Sequence, residues 1–241
     1  MNTARHSSEK PGLLLLHGYL GSPANWDAVT GALAKHSDIL APELPFFETP
    51  PGANHIEFVT QFLDRLVQAQ GRRLVAFGNS FGGQLALNLA AAHPDQFAGI
   101  VLAGSSGLYR RNLKRNMLLR PTRTWAYDRV AEIFYDESNV TEAMVDTVLD
   151  LFADRQKFRV SLRVARFIQQ TSVRELLPHI RCPVLLVWGA DDQITTTAAA
   201  REFHSLLSDA ELHFLPQCGH VPMMERPAEF TQLVQTFLQR L

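Results

Sequence analysis

Six short, continuous apolar runs punctuate this chain, and longer segments of helical periodicity alternate with them. A strand that is apolar at nearly every position must be covered on both faces, which is how a parallel sheet with helices on each side reads in sequence. The runs are Gly12–Leu16, Asp38–Ala41, Arg73–Gly78, Gly99–Ala103, Pro183–Trp188 and Glu211–Leu215. Asn54–Gln70 brings Ile56, Val59, Phe62, Leu63 and Leu66 round at helical spacing, and Gly82–His93 is rich in Ala and Leu. Ala228–Leu241 puts Phe230, Leu233, Val234, Phe237 and Leu238 on one stripe, which predicts a packed C-terminal helix. The expected class is therefore α/β, a doubly wound, mostly parallel sheet of about six strands.

One stretch breaks the alternation. From Leu108 to about Leu177 nothing resembles a buried strand. Tyr127, Val130, Ile133 and Phe134 form one helical face. Val145, Val148, Leu149 and Phe152 form a second, opened by Thr141 as N-cap, and Phe158, Leu162, Ala165 and Ile168 form a third. An all-helical insertion between two core strands reads as a lid over a cleft, the alternative being ordinary packing against the sheet edge. The expected division is a core first part over 1–107, a helical lid over 108–177 and a core second part over 178–241. The lid opens with a basic run, Arg110, Arg111, Lys114, Arg115, Arg120 and Arg123, read either as a solvated face or as a source of one arginine for a substrate carboxylate. Met117, Trp125 and Tyr127 are either core or lid contacts to substrate.

The 241 residues are 46% apolar and 20% charged, a balance that excludes disordered and collagen-like classes and provides for one main core. Lys plus Arg number 23 against 24 Asp plus Glu, so there is no general attraction to nucleic acid or to an anionic membrane. Cys182 and Cys218 lie far apart without CxxC spacing and are expected to be free thiols. Met1 to Lys10 is polar, and Leu13–Leu16 is too short to span a bilayer, so a cytosolic protein is expected. No HExxH, GxxxxGK[ST] or GxGxxG is present, and neither a metal nor any other cofactor is anticipated. The expected partner is a small-molecule substrate.

Gly78-Asn79-Ser80-Phe81-Gly82 follows one strand and opens a helix, the context in which GxSxG makes a sharp turn that presents the serine hydroxyl. A serine hydroxyl is a poor nucleophile until an imidazole takes its proton, and that imidazole needs an acid to fix its tautomer. An acid and a histidine must therefore follow. After Pro183–Trp188 comes Gly189-Ala190-Asp191-Asp192, and after Glu211–Leu215 comes Cys218-Gly219-His220. Both lie at carboxyl ends of strands, where α/β sites form. The order Ser80, Asp191 or Asp192, His220 places three groups on three strand ends.

With these motifs, and with Leu13-Leu14-Leu15-Leu16-His17-Gly18-Tyr19 and Gly219-His220-Val221-Pro222-Met223-Met224-Glu225-Arg226-Pro227, the chain resembles the α/β-hydrolase superfamily, in particular its lid-bearing, esterase-like branch. The resemblance implies Asp192 as the acid, with Asp191 the alternative. It also implies an oxyanion hole from the backbone N–H groups of Tyr19 and Phe81, and a structural role for His17. The Phe81 side chain is then either pocket lining or core. A serine at position 80 disfavours the dehalogenases and epoxide hydrolases that use an aspartate there, and the GGSWG elbow of proline iminopeptidases is absent. Glu43-Leu44-Pro45-Phe46-Phe47-Glu48-Thr49 stands where many relatives read DLPGHGxS, so that loop should differ. Its two phenylalanines are read as a pocket wall or as a loop anchor. The antiparallel hairpin that commonly begins this fold is not expected either. The function implied is hydrolysis of small carboxylic esters through an acyl-enzyme. The alternative is hydrolysis of a carbon–carbon bond in a ring-fission product, whose enzymes share a GNSxGG elbow but usually carry an aromatic residue where this chain has Val221.

Overall fold

A computed structural model describes residues 10–50, 52–108 and 122–241. Within them β1 (Gly12–Leu16), β2 (Ile39–Leu40), β3 (Leu74–Asn79), β4 (Phe97–Ala103), β5 (Val184–Gly189) and β6 (Ala210–Leu215) form one sheet. Its order is β2-β1-β3-β4-β5-β6, and every pairing is parallel. Each strand lies within two residues of its expected position at either end. The nine α-helices among the described residues are α1 (Asp27–Leu33), α2 (His55–Gln68), α3 (Phe81–Ala92), α4 (Arg123–Ala131), α5 (Glu142–Ala153), α6 (Arg155–Gln170), α7 (Thr197–Leu206), α8 (Pro222–Glu225) and α9 (Pro227–Leu238).

Side chains alternate across the sheet and divide the core in two. Leu14, Leu16, Ala76, Ile100, Leu102, Leu186 and Trp188 face α2, α3 and α7. Leu13, Leu15, Val75, Phe77, Val101, Leu185 and Val187 face α1 and α9. Both faces being covered explains why these strands carry no polar alternation. The chain winds outward from β1 to β2, then crosses back to β3 and proceeds the other way, and a reversal of this kind is where ligands bind at the carboxyl ends of strands in open α/β sheets.

The described part of the segment between β4 and β5 carries α4, α5 and α6, joined by turns and short 3-10 helices, and contains no strand. Thr122, Thr141 and Asp154 cap α4, α5 and α6 by accepting hydrogen bonds from first-turn amides, Thr141 as its position predicted. Two of the expected faces need correction. On α4 it is Ala126 and Val130 that are buried, with Phe134 beyond the helix, while Tyr127 is exposed. On α6 the buried residues are Val160, Ser161 and Val164, whereas Phe158, Leu162, Ala165 and Ile168 are only half-buried. The helix is covered from two directions. Val160 and Val164 join the α2–α3 side of the core, and Phe158 stacks on Phe152 of α5 with ring centroids 4.9 Å apart. A single apolar stripe does not describe such a helix.

Of the basic run, Arg110, Arg111, Lys114, Arg115 and Arg120 lie outside the described residues, as does Met117. Arg123 is described, and it binds Glu142 and Asp146 of α5. Trp125 packs edge-on against Phe152, so its ring ties α4 to α5. Both cysteines are buried free thiols, and burial pushes Cys182 up to about 11 and Cys218 up to about 12, which keeps them protonated at neutral pH. No described helix is long and apolar enough to cross a membrane.

Helix α3 follows β3 so tightly that its first turn lies against β1. A Cβ on Gly82 would collide with the Leu16 carbonyl oxygen and stand 2.6 Å from that of His17. Backbone cannot yield there as a flexible side chain would. Gly82→Ala is expected to lower stability by at least about 1–3 kcal/mol, as overpacking of a filled site does, and a urea denaturation midpoint unchanged from the parent protein would contradict this packing.

Candidate active site

Ser80 occupies the single residue between β3 and α3 and has φ 52° and ψ −118°, a conformation that side-chain-bearing residues rarely adopt. Flanking interactions hold it there. Its N–H donates to Ala103 O at 3.2 Å, and its carbonyl accepts from Ser106 N at 3.0 Å and Gly83 N at 3.1 Å. The turn directs the residue out of the strand line and makes Phe81 the first residue of α3, whose N–H has no partner within the helix. On the other side, the turn after β1 packs against the serine. A Cβ on Gly18 would stand 3.1 Å from Ser80 Cβ, so glycine lets the Tyr19 backbone come beside Ser80.

His17 and Tyr19 fix that turn from opposite sides. His17 is 1% exposed; its Nδ1 lies 2.8 Å from Gly18 O, and its Nε2 accepts from Leu44 N at 3.1 Å. Donating through one nitrogen and accepting through the other requires the neutral ring. Burial lowers its pKa below the ordinary 6.5, with the exposed Glu43 3.7 Å away pulling more weakly upward. His17 is thus a structural residue, as the resemblance implied. The Tyr19 ring packs edge-on to Phe46 at 5.5 Å; burial raises its phenol pKa above the ordinary value, and its hydroxyl, near Ser161, has no hydrogen-bond partner among the described residues. Phe46 in turn meets Phe81, and Phe81 meets Phe167 of α6. Phe81, 1% exposed, belongs to the core, and of the two loop phenylalanines Phe46 is the anchor while Phe47 is exposed.

The acid and the imidazole meet beyond β5 and β6. Asp192 Oδ2 accepts from His220 Nδ1 at 2.9 Å, both residues being buried. Asp191, the alternative, is exposed, and its N–H donates to Cys218 O. Asp192 Oδ1 accepts from Ile194 N at 2.7 Å and Thr195 N at 2.9 Å, so the carboxylate is clamped by its own loop and offers its other oxygen to the ring. This bond leaves Nε2 as the free ring nitrogen. Among the described residues no hydrogen bond joins it to the Ser80 hydroxyl, and such contacts commonly tighten only once substrate is bound.

Two supporting residues were not identified from the sequence. Asn79, buried beside the serine, donates through Nδ2 to Ala103 O at 2.9 Å and to His220 O at 3.0 Å, so the strand that delivers Ser80 also holds the histidine backbone. The Thr195 hydroxyl lies 2.8 Å from Asp192 Oδ2, 3.0 Å from Gly104 O and 3.3 Å from His220 Nδ1. Asn79 falls in a variable position of the elbow pattern, and Thr195 follows the acid by three; a polar residue at either place was the only available signal. No group of three His, Cys, Asp or Glu that could hold a metal ion occurs among the described residues.

With this geometry in place, comparison with known proteins identifies the class. A model of the alpha/beta hydrolase family matches residues 13–233, and the chain belongs to that family. It is 29% identical to 2-hydroxymuconate semialdehyde hydrolase from Pseudomonas sp. (strain CF600), over 94% of this chain and 86% of that protein. It is 27% identical to pimeloyl-[acyl-carrier protein] methyl ester esterase from Aromatoleum aromaticum, over 94% and 97% respectively. Among solved structures it is similar to an alpha/beta hydrolase enzyme from a lagoon-sediment metagenome, with a TM-score of 0.77 and 27% identity over 96% of this chain and 92% of that one. The chain is a hydrolase with the fold its sequence implied.

The neutral His17 makes the turn after β1 sensitive to acid. A folded-state pKa below 6.5 means the unfolded chain binds the proton more readily, so stability is fully present above pH 6.5 and is lost as pH falls through the folded value. The melting temperature should therefore fall on acidification from pH 7 to about 5, and His17→Gln should show a shallower fall; parallel curves for the two proteins would contradict the assignment.

Proposed function

We propose that this hydrolase cleaves small carboxylic esters through an acyl-enzyme, with Ser80 as nucleophile, His220 as general base and acid, and Asp192 as the orienting carboxylate. The observation that carries the reading is the 2.9 Å bond from His220 Nδ1 to the buried Asp192, which sets the ring tautomer and leaves Nε2 to receive a proton. The strained Ser80 turn supplies the complementary hydroxyl at the end of β3, on the same edge of the sheet and with β4 between it and β5.

In the proposed reaction Ser80 Oγ attacks the ester carbonyl as His220 Nε2 takes its proton, and Asp192 stabilises the resulting imidazolium. The carbonyl oxygen gains negative charge in the tetrahedral state, where the Tyr19 and Phe81 N–H groups are its donors. The imidazolium then protonates the leaving alcohol, and the C–O bond breaks to give the acyl-enzyme. A water deprotonated by the same nitrogen attacks the acyl carbon and releases the acid, restoring Ser80. Helices α4–α6, as a lid, exclude bulk water from these steps. Only protein groups take part, and the substrate is the one small-molecule partner required; the protein works free of membrane and nucleic acid in the cytosol.

A second reading uses the same three residues on a carbon–carbon bond. It is supported by the likeness to 2-hydroxymuconate semialdehyde hydrolase, an enzyme named for a substrate that is not an ester. Arg123 is engaged by Glu142 and Asp146, so a carboxylate-binding arginine for that reaction would have to come from elsewhere.

The deciding experiment sets activated aryl esters of graded acyl length beside a coloured ring-fission product. Rapid ester turnover with slow bleaching of the coloured compound supports esterase activity, and the reverse supports the second reading. Ser80→Ala should abolish turnover with the fold retained, and activity equal to the parent would remove both readings. Asp192→Asn should reduce kcat by about 10⁴-fold by releasing the histidine tautomer.

A further inference from the structure

The histidine loop is fastened to the root of the helical insertion by one carboxylate. Glu225, on α8 five residues after His220, turns back and accepts three backbone hydrogen bonds. Its Oε1 accepts from Gly219 N at 2.7 Å, and its Oε2 accepts from Tyr135 N at 2.8 Å and from Asp136 N at 3.3 Å. The first donor immediately precedes His220. The other two belong to the segment leaving α4. Alongside this bridge His220 N donates directly to Ile133 O at 2.7 Å, and Phe134 packs in the same apolar cluster as Cys218 and Val221. The two backbones touch: a Cβ on Gly219 would stand 2.5 Å from Ile133 O and 2.8 Å from Tyr135 N.

We infer that Glu225 is a positioning residue for His220, tying the histidine loop to residues 133–136 so that the base of the insertion belongs to the catalytic apparatus. The inference rests on the serine hydrolase reading. His220 is held from two sides, by Asn79 at its carbonyl and by the 133–136 segment at its N–H, and Asp192 fixes only the rotation of the ring. Position along the line towards Ser80 is set by the backbone anchors. Charge-assisted bonds from a carboxylate to N–H groups are stronger and shorter than neutral ones, so a single anion can pin both segments. Removing it leaves three N–H groups without their partner at a contact too close for a side chain to refill.

The test compares Glu225→Ala and Glu225→Gln with the parent protein. Glu225→Ala should lower kcat for an aryl ester by about 10²-fold with KM little changed, the loss expected when a reacting group is misplaced by about 1 Å. Labelling of Ser80 by a fluorophosphonate should slow in parallel. Amide hydrogen exchange at Gly219–His220 and at Tyr135–Asp136 should accelerate together. Glu225→Gln keeps one acceptor oxygen and turns an NH2 towards the opposite donor, so it should loosen one segment and lose less activity; it also serves if the alanine variant does not fold. Unchanged kcat in a variant whose exchange has accelerated overturns the positioning role, and unchanged exchange overturns the tether. If the parent protein neither turns over esters nor reacts with the fluorophosphonate, the serine hydrolase reading falls, and the exchange data alone then decide the tether.

Discussion

A serine held in left-handed backbone space between a buried strand and a buried helix is the constraint from which the rest of this site follows. Ser80 stays at φ 52° because β3 and α3 are both locked in the core and because neighbouring backbone groups bind its N–H and carbonyl. The same crowding demands glycine at the flanking positions, where a Cβ at Gly78 would come within 2.6 Å of the Gly82 backbone. Strain in one residue is thereby maintained by packing spread over the two faces of a sheet.

Parallel pairing does the remaining assembly. All six strands point the same way, so loops after β1, β3, β4, β5 and β6 open on one edge of the sheet, although they are far apart in the chain. Gly18, Ser80, Gly104, Asp192 and His220 each come from a different one of these loops. Gly104, at φ 54°, has no room for a Cβ between His220 Nδ1 at 3.0 Å and Asp192 Oδ2 at 3.1 Å, so the loop after β4 serves as the floor on which Asp192 and His220 meet. Hydrogen bonds then join the loops crosswise: Asn79 to His220, Thr195 to Gly104, Glu225 to the insertion.

The readings from sequence succeeded where one element's own residues decide its state. Strands buried on both faces carry no polar alternation, and β1, β3, β4 and β5 were legible for that reason; the edge strands β2 and β6 are only half-buried, and β6 alternates Glu211 and His213 with Leu212 and Phe214. Caps were legible as well, since Thr141 acts within its own turn. The faces of α4 and α6 were not. Each is covered from more than one direction, so apolar spacing marked several candidate stripes, and the presence of α5 and the core decided which residues went under. Asp192 could be named over Asp191 only through family resemblance; in the fold, the difference is that one faces the imidazole and its neighbour faces solvent.

By itself the sequence determined the fold class, the strand positions and the residue types available at each strand end, because periodicity and turn chemistry are local properties of the chain. Tertiary structure alone decided that the Asp192 carboxylate reaches His220, that Asn79 and Thr195 brace the pair, and that Glu225 reaches across 89 residues of chain to Asp136. Hydrogen bonds between loops depend on distances across the sheet edge, and no interval along the sequence encodes them until parallel pairing has set those loops side by side.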